Sequence, residues 1–189
     1  MKILLCIFWT LLVSCLSSIA VNAQDEAAVR KELDAQYKKL AEAHEREDLK
    51  AILALRTADF HSIFPDGRVS DRRLMEEYTR RFLEMNQPPY NQKFTIQKLT
   101  ISPNTLIAVA EVMQEVSRYQ VLAGERRKVD TSVVQREIWA NTSDGWKLKS
   151  VDNVREQRKF VDGKRVDPTK PYNPHDPQYN PDEKQAQKP

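Results

Sequence analysis

The chain has 189 residues, 30 of them basic and 27 acidic, for a formal charge of +3 at neutral pH. Opposite charges are interleaved, and pairs such as Arg72-Arg73 and Arg80-Arg81 read as solvated surface, so nothing marks a nucleic-acid or anionic-membrane partner. Its four glycines form no phosphate-binding loop or nucleophile elbow, and His44, His61 and His175 share no ligand spacing, so no metal and no cofactor is expected.

In chain order, Lys2 is followed by an apolar run from Ile3 to Val13 and by small residues ending Val21-Asn22-Ala23. This is the pattern of a secretory signal peptide over residues 1–23, too short for a membrane span, and it predicts a periplasmic or secreted protein. Leu12-Val13-Ser14-Cys15 also fits a lipobox, the alternative being a lipoprotein anchored at Cys15. Cys6 and Cys15 both lie in this leader, so a chain cut after Ala23 has no thiol for a disulfide, a nucleophile or a metal.

Residues 24–166 are long enough for one domain with one core. From Asp25 to Glu47, Val29, Leu33, Tyr37, Leu40, Ala41 and His44 recur every three or four residues, predicting a long amphipathic helix. Asp48 caps a shorter helix that buries Leu49, Ile52, Leu53 and Leu55, and a strand from Phe60 to Phe64 ends at the Pro65-Asp66-Gly67 turn. Ser70 or Asp71 caps a third helix carrying Leu74, Tyr78 and Phe82, stopped by Asn86-Gln87-Pro88-Pro89.

Strands follow. Phe94, Ile96, Leu99 and Ile101 alternate with a one-residue slip that predicts a bulge, and Thr105 to Tyr119 reads as a central strand. Val129 to Ala140 and Trp146 to Val154 form a hairpin around Asn141-Thr142-Ser143-Asp144-Gly145, and Phe160 to Lys164 suggests one more turn. A five-residue loop pairs residues whose numbers sum to about 286, setting Ile138 opposite Leu148 and Arg136 opposite Ser150. On that register Val134, Arg136, Ile138, Ala140, Trp146, Leu148, Ser150 and Asp152 face inward, while Gln135, Glu137, Trp139, Lys147 and Lys149 face outward with Glu137 and Lys149 as an ion pair. Polar groups on an inner face need partners: Arg136 and Asp152 either satisfy one another at the core's rim or line a pocket.

The element order resembles the nuclear-transport-factor-2-like superfamily, which includes SnoaL-like cyclases and ketosteroid isomerases. The most family-like stretches are Leu53-Ala54-Leu55-Arg56-Thr57-Ala58-Asp59-Phe60 leading to Asp66-Gly67, and Arg136-Glu137-Ile138-Trp139 with Gly145-Trp146-Lys147-Leu148. The resemblance implies an α+β cone, a strongly curved antiparallel sheet packed against three N-terminal helices, in an exported bacterial member. It implies a mouth that takes a small organic molecule and, in many members, a homodimer through the sheet's outer face, which Trp139 would suit. It places Tyr37, Phe60, Tyr78, Phe82, Arg136, Ser150 and Asp152 toward the cone.

Catalysis fits less well, because the isomerase branch carries its base near the end of the first strand, where this chain has Phe64 and Pro65. The weak catalytic candidates are a His61-Asp59 pair and Asp152. The expected function is therefore non-catalytic binding of a small apolar or acidic molecule, with an isomerase-, cyclase- or hydratase-like enzyme and a dimeric interaction module as alternatives. Residues 167–189 hold Pro168, Pro171, Pro174, Pro177 and Pro181 and read as a disordered spacer or a docking strip.

Overall fold

The computed structural model describes residues 26–104 and 106–179. The leader with its lipobox, and the end of the proline-rich tail, lie outside the described residues. None of the described helices is long and apolar enough to cross a membrane.

Helix α1 (26–45) buries the expected stripe, with Val29, Leu33 and Tyr37 in the core. It ends in a Schellman turn: Asp48 N donates to Ala43 O and Glu47 N to His44 O, with Glu47 at φ 53°. Asp48 then caps α2 (Leu49–Ala54) by accepting from Ala51 N at 2.9 Å. Strand β1 (Arg56–Ile63) starts directly after it and folds back through the Pro65-Asp66-Gly67 turn onto the short β2 (Val69–Asp71). Gly67, at φ 83°, supplies the left-handed residue that this turn requires. Of the two candidate caps for α3 (Arg72–Met85), Asp71 is the one used, accepting from Leu74 N at 2.8 Å.

Four long strands complete the fold: β3 (Asn86–Ile101), β4 (Ile107–Leu122), β5 (Glu125–Thr142) and β6 (Gly145–Val161), with β7 (Lys164–Val166) folded back on β6. Strand order is β2-β1-β6-β5-β4-β3, with β1 parallel to β6 and every other pairing antiparallel. The predicted slip after Ile96 is a bulge, and further register shifts in β1, β5 and β6 bend the sheet into an open cone. The helices pack into its concave side, where Leu33 and Tyr37 meet Phe60, Val112, Trp139, Trp146 and Leu148. Tyr37 stacks on Phe94 with ring centres 4.7 Å apart and meets Trp139 edge-on at 5.3 Å.

The β5–β6 register differs from the sequence expectation. The strands run closer to the turn than expected, pairing Thr142 with Gly145, and Gly145 adopts φ 92°. Trp139 therefore pairs with Leu148, and past an irregularity beside Lys149, Glu137 pairs with Val151 and Arg136 with Asp152. A one-residue shift exchanges the faces of a strand. Glu137 and Trp139 turn inward and are buried, whereas the Arg136 side chain is 51% exposed. The expected Glu137–Lys149 pair does not form, and Lys149 instead holds Asp59 at 2.7 Å. Trp139, at 1% exposure inside the cone, is not available to an outer-face interface.

Candidate ligand-binding cavity in the cone

Two adjoining chambers lie between the helices and the inner sheet face. The inner one, about 300 Å3, is walled by Leu40, Phe60, Met75, Phe94, Trp139, Leu148 and Val151. The outer one, about 330 Å3, lies among Tyr78, Phe82, Gln92, Val116, Arg118 and Val133. His44, Arg56, Met75 and Gln114 line both. Apolar walls with a few placed polar groups, at this volume, are what a small organic ligand needs. A larger hollow of about 510 Å3 lies between β7 and residues 170–179, but its walls are mainly surface side chains of the tail.

Glu137 is the most deeply placed acid. Tyr37 donates to its Oε2 at 2.6 Å, Trp139 Nε1 to the same oxygen at 3.0 Å, and Gln135 Nε2 to its Oε1 at 2.7 Å. Burial raises its pKa against the pull of these three donors. Burial, and after it the Glu137 charge, raise the Tyr37 hydroxyl well above its ordinary 10.0. Glu137, Gln135 and Trp139 line the inner chamber, with both Glu137 oxygens hydrogen-bonded.

His44, on the last turn of α1, sits edge-on to Phe82, with Nδ1 2.9 Å from the Leu40 carbonyl. A carbonyl only accepts, so Nδ1 holds the proton, and the neutral ring keeps its lone pair at Nε2. Burial first, and then the Arg56 charge, lower its pKa below the ordinary 6.5, against the Leu40 hydrogen bond.

Arg56, the first residue of β1, reaches across to α3. Its Nη2 donates to Thr79 Oγ1 at 3.1 Å, its Nη1 lies 3.5 Å from Met75 O, and its guanidinium sits 4.8 Å from the Phe60 ring centre. Burial, with the neighbouring Arg72 charge, pulls its pKa down to about 10. Arg118, from β4, donates to Asn86 Oδ1 at 2.6 Å and to Thr131 Oγ1 at 2.9 Å, and lies 5.3 Å from the Phe82 ring centre. Burial lowers its pKa as well.

Of the residues expected to line the cone, Phe60, Tyr78 and Phe82 border the chambers, and Tyr37 is buried beneath them in the Glu137 network. Arg136 and Asp152 form a two-bonded ion pair at 2.5 and 2.8 Å, and Ser150 pairs with Ile138 and His61; these three border neither chamber. The catalytic candidates are not brought together. The Asp59 carboxylate is held by Lys149, which keeps its pKa low; His61 Nδ1 is 3.4 Å from the Asp59 backbone carbonyl, and Asp152 is committed to Arg136. Sequence reasoning did not single out Glu137, Arg56 and Arg118 as site residues. For Glu137 the signal was its alternation with Trp139, available only with the correct register; Arg56 stood at the edge of an apolar run.

No protein-family model matches the chain, and no curated protein sequence does. Solved structures do. A candidate scytalone dehydratase from Novosphingobium aromaticivorans superposes with a TM-score of 0.58 at 10% identity, over 73% of this chain and 90% of its own. A ketosteroid isomerase-like protein from Erwinia carotovora atroseptica gives 0.51 at 13% identity, over 73% and 96%. A type 2 hexachlorocyclohexane dehydrochlorinase gives 0.54 at 10% identity, over 81% and 99%. The chain has the nuclear-transport-factor-2-like fold, and at these identities the likeness is one of fold.

Proposed function

We propose that the protein is an exported, non-catalytic binder of a small, largely apolar organic molecule held in the cone. The observation that carries this reading is the pair of adjoining chambers, apolar on most of their walls and joined at His44, Arg56, Met75 and Gln114. A packed scaffold core leaves few voids larger than a water molecule, so space on this scale among aromatic and aliphatic side chains favours a ligand. Binding is preferred to turnover because the deepest acid is engaged by three donors and the His61, Asp59 and Asp152 groups lie apart from the chambers. His44 supports a second reading: a neutral imidazole on the cavity wall suits a general base in an isomerase- or dehydratase-like reaction.

The test is binding of the neutral fluorescent probe N-phenyl-1-naphthylamine to the protein and to Met75→Trp, which fills the junction of the chambers. Probe binding that weakens at least tenfold in a variant with an unchanged melting transition supports the cone as the site. Equal binding by both proteins contradicts it.

A further inference from the structure

The chambers contain an electrostatic imbalance that an apolar ligand alone does not resolve. Arg56 and Arg118 are held by neutral groups only: Thr79, Met75 O and the Phe60 face for one, Asn86, Thr131 and the Phe82 face for the other. No carboxylate lies among the residues that line the outer chamber. Asp130, whose charge reaches Arg118, is ion-paired with Lys128 at 3.3 Å, and Glu137 is engaged by Tyr37, Trp139 and Gln135. A desolvated guanidinium without a counter-ion is costly, and a fold that keeps two facing one chamber leaves room for an anion.

Resting on the cone-binding reading, we propose that the ligand is an amphipathic organic acid, its carboxylate received in the outer chamber by Arg56 and Arg118 and its apolar body in the inner chamber. Guanidinium groups suit this task because their planar donors match a carboxylate in charge and in direction. Arg56 borders both chambers, so an acid group bound there sits where the polar lining meets the apolar one. His44 lines both chambers with Arg56 and brings no carboxylate to compete for it. The aromatic rings of Tyr78 and Phe82 flank the same chamber and give the acid's ring or chain an apolar entry.

The experiment is calorimetric titration, at fixed ionic strength, of 2-naphthoate and its neutral isostere 2-naphthamide into the wild-type protein, Arg56→Met and Arg118→Met, each checked for an intact melting transition. The wild-type comparison does not depend on any variant folding. The proposal expects 2-naphthoate to bind at least tenfold more tightly than 2-naphthamide, and each substitution to remove most of that preference. Equal binding of the two probes to the wild type overturns acid recognition while leaving the cone reading intact. A preference that survives both substitutions overturns the assignment to these arginines. Failure of both probes to bind at millimolar concentration contradicts this proposal and the cone reading together.

Discussion

At the scale of the residue, Glu137 shows how a buried acid is made tolerable. Tyr37, Trp139 and Gln135 aim three donors at it, and no cation is needed. Glu137→Ala strands these donors in the core and is expected to cost about 3 kcal/mol, read by chemical denaturation. Glu137→Gln should be close to neutral, because its amide oxygen can face Tyr37 and Trp139 while the Gln135 amide turns over to accept from its nitrogen.

The pair Glu137 and His44 also sets a pH signature. Glu137 has a folded pKa above its ordinary 4.5, so its contribution to stability is present below 4.5 and is lost as pH rises through the folded value. His44 has a folded pKa below 6.5, so its contribution is present above 6.5 and is lost as pH falls toward the folded value. Glu137 therefore makes stability fall as pH rises from 4.5 toward its folded value, and His44 makes it rise as pH climbs from its folded value toward 6.5. In melting curves taken at successive pH values, Glu137→Gln should therefore lose stability more steeply than the wild type on acidification toward 4.5, and His44→Gln less steeply on acidification below 6.5.

At the scale of the element, the helices were legible and the hairpin register was not. The α1 stripe Val29, Leu33, Tyr37 has period 3.6 and one buried face, so periodicity alone placed it. Asp48 and Asp71 each precede a helix and cap it, as their side chains favour. The β5–β6 pairing depends on a turn residue at positive φ and on an irregularity at Lys149, and neither leaves a periodic trace. One misplaced residue was enough to send Arg136 inward and Glu137 outward in the sequence reading, which hid the buried acid. The cavity arginines were hidden for a different reason: a long charged side chain can reach inward without any motif or periodicity that marks it. The end of α1 offers a direct check. Glu47 occupies the left-handed position of a Schellman turn that glycine favours, so Glu47→Gly should raise stability by about 1 kcal/mol in a denaturant titration.

At the scale of the whole molecule, the curved sheet and α1–α3 together leave a polar-edged cavity, and residues 167–179 line neither of its chambers. Residues 167–179 have no helix or strand, although Tyr179 N reaches Arg165 O at 3.1 Å and Tyr172 lies 5.6 Å from the Arg127 guanidinium. Such peripheral contacts contribute little, so removing residues 167–189 should change folding stability by less than about 1 kcal/mol and leave cavity binding unchanged. That the cone holds a small molecule is tested by native mass spectrometry of the protein, purified without added ligands and compared with the same sample denatured. An additional small organic mass, released on denaturation and absent from Met75→Trp, is the expected result. A wild-type protein that binds neither a copurified molecule nor the neutral and acidic naphthyl probes would contradict it.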